Sequence, residues 1–95
     1  MPTYILLSEV TDDGAATIKK RPERIKEVNK EIEKLGAEVK EQFAVLGPYD
    51  FVNIVEAPDE ETIARVSVEL GSRGTVKIET LTAIPVADFV ESFKN

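Results

Sequence analysis

Cysteine, histidine and tryptophan are absent from this 95-residue chain, and glutamine occurs once, at Gln42. Without cysteine there is no disulfide, no thiolate metal ligand and no thiol nucleophile. Without histidine there is no imidazole metal site, no histidine general base, no Ser-His triad and no histidine-ligated haem. No apolar run approaches the roughly 18 residues of a membrane span, so no membrane partner is expected. The opening residues, Met1 to Val10, lack a basic region and meet a charge at Glu9. That argues against a secretory signal and for a cytoplasmic protein. Positive charge is in the minority: 12 Lys and Arg against 18 Asp and Glu, a net charge of −6. Such a balance repels a phosphate backbone, so no nucleic-acid partner is expected.

What is present is the composition of a folded domain. The chain is 42% apolar and 32% charged, which separates it from disordered sequences. Its length fits one domain, residues 1–95, with a thin core. Abundant Glu and Lys with little Gln and no Cys suit a thermophile.

The first strand is read as Thr3–Thr11, ended by turn chemistry at Asp12-Asp13-Gly14. A helix is predicted from Pro22, with Ile25, Val28, Ile32 and Leu35 on one face and Gly36 as its stop. The second strand, Glu38–Leu46, alternates: Val39, Glu41, Phe43 and Val45 on one side, Gln42 and Ala44 on the other. A short loop, 47–50, leads to the third strand, Phe51–Glu56. The second helix opens at Pro58-Asp59-Glu60-Glu61, with Ala57 or Pro58 at the junction, and buries Ile63, Val66 and Leu70. The fourth strand is Thr75–Ile84. Pro85 then starts a short helix with Val86, Phe89, Val90 and Phe93 on one face.

This order is that of a ferredoxin-like βαββαβ sandwich of the α+β class, with the first and third strands central and a C-terminal helix added. Two helices cover only one face of such a sheet. Both central strands nevertheless carry apolar residues on both parities: Tyr4 and Leu6 against Ile5 and Leu7, Phe51 and Val55 against Val52 and Ile54. Both faces therefore want burial. The terminal helix is expected to cover part of the second face, and the sheet of a second copy the rest, so a homodimer or higher homo-oligomer is predicted.

The stretch Gly47-Pro48-Tyr49-Asp50-Phe51-Val52 resembles the GYD-domain family of the dimeric α+β barrel superfamily. So do Tyr4, Thr11 and Gly14, Pro22-Glu23-Arg24, Glu56-Ala57-Pro58-Asp59, Gly74 and Thr80-Leu81-Thr82-Ala83, in that order and spacing. The resemblance implies a ferredoxin-like protomer that associates through its sheet as a barrel. It implies no established activity, and related barrels range from cofactor-free monooxygenases to regulatory domains.

Candidate ligand-binding residues are Tyr49, Asp50, Asn53 and Glu56. Tyr49 and Asp50 sit where the hairpin meets the third strand. They could bind a polar group at a cleft rim, or serve the turn, with the carboxylate accepting backbone N–H bonds. Glu56 shares the parity of Val52 and Ile54. It is either a group in the cleft between sheets or a strand-end glutamate in water. Asn53 has the parity of Phe51 and Val55, and if buried it needs hydrogen-bond partners. Lys19, Lys20, Arg21 and Arg24 gather before and within the first turn of the helix predicted from Pro22. There they oppose its dipole, and so are read as an anion site or a solvated cluster. No metal site is expected, since Asp12-Asp13 and Asp59-Glu60-Glu61 lack a calcium-type loop. No cofactor is expected either.

The function read from these residues is an oligomeric barrel protein that binds a small molecule or serves as an assembly module, without catalysis. The alternative is a cofactor-independent enzyme, monooxygenase- or isomerase-like, acting on an apolar substrate in the barrel cleft. A third reading is an effector-sensing domain that works with its DNA-binding partner in trans.

Overall fold

Runs rich in β-branched and other apolar residues make strands of four segments, and a computed structural model, which describes residues 1–94, pairs them into one sheet. The elements run β1 (Thr3–Val10), α1 (Asp12–Lys20), α2 (Arg24–Lys34), β2 (Glu38–Ala44), β3 (Phe51–Glu56), α3 (Glu60–Gly71), β4 (Val76–Ala83) and α4 (Val86–Glu91). The strand order is β2-β3-β1-β4, and every neighbouring pair is antiparallel. Each helical connection therefore steps over one strand, which is the ferredoxin-like arrangement. Tyr4, Leu6 and Val55 on one sheet face are buried with Ile32 of α2 and with Ile63, Val66 and Leu70 of α3. The core lies between that face and the helices.

The turn expected at Asp12-Asp13-Gly14 is instead the first turn of a helix. Thr11 has extended backbone angles, and its hydroxyl accepts the Gly14 N–H at 3.2 Å. Asp12 and Asp13 sit at the positive end of the α1 dipole, Lys19 and Lys20 at the negative end. Pro22 then separates α1 from α2, because it lacks an N–H and disfavours helical angles in the residue before it. The helix predicted from Pro22 is thus α2, beginning at Arg24, and α1 before it is an additional helix where only a turn was expected.

Two further corrections concern strand faces and caps. The register of β2 on β3 slips between Val39 and Glu41. A bulge at this point reverses the parity of the later β2 residues. Val39 pairs with buried Val55, whereas Gln42, expected on the other side from Val39, pairs with buried Asn53 and shares its face. At α3 the cap is Asp59 rather than Ala57 or Pro58. Its carboxylate accepts the Thr62 N–H at 2.8 Å and the Thr62 hydroxyl at 2.6 Å, and these bonds hold its pKa below the usual carboxylate range.

The C-terminal helix forms where Pro85 precedes it, but it does not cover the sheet. Every residue from Ile84 to Lys94 is exposed, including Val86, Phe89, Val90 and Phe93. The radius of gyration is 14.4 Å, against about 12 Å for a compact chain of this length. Phe89 and Phe93, with ring centroids 5.1 Å apart and edge to face, pack mainly on each other.

Candidate functional site

The sheet face turned away from the helices is an ordered surface of apolar rows. Across β2, β3, β1 and β4, one row reads Phe43, Val52, Leu7 and Glu79. The next reads Glu41, Ile54, Ile5 and Leu81, and the third Glu38, Glu56, Thr3 and Ala83. Six contiguous apolar side chains thus occupy the centre, with carboxylates at the edges. Phe43 and Leu81 are 52% and 44% exposed, so the outer columns are bare. Exposed apolar surface of this continuity, rimmed by polar groups, marks an interaction site.

Tyr49 and Asp50 fasten the β2–β3 hairpin to the other two strands. The Tyr49 hydroxyl donates to Glu79 of β4 at 2.7 Å, and this bond is the first cause of a phenol pKa raised above 10. Tyr49 therefore stays protonated near neutrality, as a donor rather than a base. The Asp50 carboxylate accepts the Val10 N–H at 2.7 Å, while the Asp50 N–H donates to Ser8 O at 2.8 Å. Its partner is thus the end of β1, not the hairpin's own turn. Asp50→Asn presents a weaker acceptor to Val10. It should cost about 1–2 kcal/mol near neutral pH, measured by urea denaturation; a stabilised variant would contradict this holding role.

The four candidate ligand residues do not converge. Glu56 is half-buried on the open face, opposite Thr3 and Glu38. Asn53 is buried on the other face, beneath the helices, and its Oδ1 has no hydrogen-bond partner. A single pocket using all four would have to cross the sheet. Among the described residues no group of three carboxylates gathers to hold a metal ion.

The basic cluster also divides. Lys19 and Lys20 lie in the last turn of α1, where the dipole favours them, so the premise that they oppose a helix start is overturned. Arg21 pairs with Glu27 at 2.9 Å, and Arg24 with Glu27 at 3.3 Å and Glu31 at 3.1 Å. Arg73, just beyond α3, also binds Glu31 and pairs with Glu69 at 3.4 Å. Sequence reading missed this link because Glu31 and Arg73 are 42 residues apart. Hydrogen bonding to Arg73 first, and also to Arg24, holds the Glu31 carboxyl below its ordinary value against an opposing effect of burial. A folded pKa below the unfolded one gives stability that is full above the unfolded value, about 4.3, and lost as pH falls through the lower folded value. Glu31→Gln should therefore cost up to about 1 kcal/mol at pH 7, given the half-exposed site, and almost nothing near pH 2. Denaturation curves at the two pH values test this; a pH-independent difference would refute it.

Comparison with known proteins bears on the whole chain. The model of the GYD domain matches residues 4–92. The chain belongs to the GYD family. A protein of Thermus thermophilus is 61% identical to it over 95 residues, 99% of this chain and 100% of that protein. That relative is named "Glutamine synthetase and cystathionine beta-lyase binding protein". The crystal structure of another Thermus thermophilus protein superposes with a TM-score of 0.58 at 29% identity, covering 90% of this chain and 95% of that one. In this GYD protein the Gly47-Pro48-Tyr49-Asp50 stretch is a fastening device. Gly47 takes a left-handed φ of 114°, and Tyr49 and Asp50 reach the two strands beyond β3.

Proposed function

We propose that this GYD protein is a non-catalytic binding protein. It pairs with a second copy through its open sheet face and docks on metabolic enzymes of the kinds its relative is named for. The observation that carries the reading is the full-length 61% identity to a protein named for binding glutamine synthetase and cystathionine beta-lyase. Two bare apolar surfaces support it. The sheet centre, Ile5, Leu7, Val52 and Ile54, is broad enough to pack on the same face of a second copy about 10 Å away, forming the barrel. The C-terminal arm, with Phe89 and Phe93 exposed, offers a helix of aromatic anchors to an enzyme groove.

The test uses purified parent protein and glutamine synthetase and cystathionine β-lyase from the same organism. The parent should form a complex with at least one of the two enzymes on size-exclusion chromatography. Phe89→Ser combined with Phe93→Ser should weaken that complex at least tenfold and leave the homodimer intact. A parent that binds neither enzyme would overturn the reading. Loss of the homodimer alone would assign the arm to the contact between copies.

A further inference from the structure

The layer between sheet and helices is tight at one end and hollow at the other. Tyr4, Leu6, Val55, Val66 and Ile63 fill the first end. At the second, a cavity of about 300 Å³ lies between β1, β3 and β4 below and α1 and α2 above. Its walls are mainly apolar, with Val10, Ile18, Ile25, Val28, Phe51 and Ile78 among them. This size and lining are those of a small-ligand site. Thr17, Arg24 and Asn29 in its wall are half-exposed, which gives a route to solvent. The arginines of the wall, Arg24 and Arg73, pair with Glu27, Glu31 and Glu69, so they present no unbalanced charge to an occupant.

β1 places one polar residue in the floor of this cavity. Alternate residues of a strand share a face, so Ser8 points towards the helices with Tyr4, Leu6 and Val10. Its neighbours across the sheet are Phe51 on β3 and Ile78 on β4, which also line the cavity. A serine between apolar neighbours adds little packing, and a hydroxyl held out of bulk water without a partner opposes folding. Ser8 is 5% exposed, and among the described residues its hydroxyl has no hydrogen-bond partner, yet its Oγ keeps some accessible surface. Asn53 Oδ1, in the same wall and also unpartnered, is sealed off. The Thr75 hydroxyl has no partner either, but Thr75 is half-exposed at the cavity's edge and can meet water. What meets the Ser8 hydroxyl must therefore enter the cavity. The amide oxygens of the wall are closed to its proton: those of Asn29 and Gln42 accept from each other, at 3.2 and 2.9 Å, and that of Asn53 is sealed.

We propose that this cavity binds a small, uncharged molecule with an apolar body and one carbonyl-type acceptor, and that the Ser8 hydroxyl donates to that acceptor. The walls supply apolar contact, the paired arginines leave no charge to be met, and the serine fixes orientation. The site is separate from the open sheet face and does not depend on the protein-binding reading.

Acetophenone and α-methylstyrene test it, because they share a shape and differ in that a C=O is replaced by a C=CH2. In titrations followed by amide NMR, acetophenone should bind the parent saturably, shifting Ser8, Val28 and Ile78. Ser8→Ala should weaken acetophenone about fivefold to tenfold, the worth of one hydrogen bond. The same change should leave α-methylstyrene within about twofold of the parent, since no hydrogen bond is lost. Without a probe, Ser8→Ala should melt at or above the parent's temperature, because it removes a hydroxyl that the fold does not satisfy. Val28→Phe, which fills the cavity, should abolish binding of both probes while the protein stays folded, and Ser8→Ala carries the test if it does not fold. No saturable acetophenone binding, an equal effect of Ser8→Ala on the two probes, a Ser8→Ala protein that melts lower or fails to fold, or acetophenone binding unchanged in Val28→Phe would each overturn the proposal.

Discussion

Gly14→Ala should destabilise the protein by about 3 kcal/mol, the upper range for overpacking a tight site. Gly14 is buried in the first turn of α1. A Cβ built there would lie 2.1 Å from the Thr75 carbonyl oxygen and 2.8 Å from Val10 Cγ1. The Val10 methyl can turn aside, but the Thr75 carbonyl cannot. It accepts the Thr11 N–H at 2.9 Å, and the neighbouring Gly74 carbonyl accepts the Thr11 hydroxyl at 2.8 Å. These bonds clamp the start of α1 against the segment entering β4, so a methyl group must break the clamp or push the helix away. Thermal and urea denaturation should show the loss, and a Gly14→Ala protein within about 0.5 kcal/mol of the parent would mean that the helix start yields. Gly71 makes the control: a Cβ there meets nothing within 4 Å. Gly71→Ala should be neutral or slightly stabilising, since alanine favours a helix.

Ile54→Lys should convert the assembled protein into a folded monomer. Ile54 lies at the centre of the open face, between Ile5 on β1 and Glu41 on β2, and its side chain points away from the helix-covered core. In one copy a lysine there can carry its ammonium into water along its own stem. Between two packed sheets the same ammonium would be buried without a partner, a cost of several kcal/mol, or more than a hundredfold in association. Light scattering should give the parent a mass of at least two chains and Ile54→Lys about one chain, 10.5 kDa. The circular dichroism spectrum should stay the same. A parent at one chain, or a variant at the parent's mass, would remove the sheet face from the contact between copies.

The two predictions differ in how far the sequence alone could have led to them. That both parities of β1 and β3 are apolar is visible along a few residues, because a strand sends successive side chains to opposite faces. The importance of Gly14 is not visible in this way. Asp-Asp-Gly carries the marks of a turn, and only the Thr11 cap and the distant Thr75 carbonyl make it a helix start. The same holds for β2. Its alternation along the chain is regular, and the bulge that turns Gln42 inward depends on its pairing with β3.

Local sequence was enough to determine the four strands, the helices over Ile25–Leu35 and Ile63–Leu70, and with them the ferredoxin-like order. Those elements follow from periods of about 2 and 3.6 residues and from stops at Gly and Pro, all of which act within one or two turns of chain. The face of Asn53 was likewise readable from its parity with Phe51 and Val55. Tertiary structure alone decided the hollow beside Asn53, the sharing of Glu31 between Arg24 and Arg73, and the bare C-terminal arm. Each depends on how well surfaces from distant segments fill the space between them. A helix whose apolar face matches no surface on its own copy stands exposed, however regular its pattern, because the pattern states what a helix would bury and not what lies within its reach.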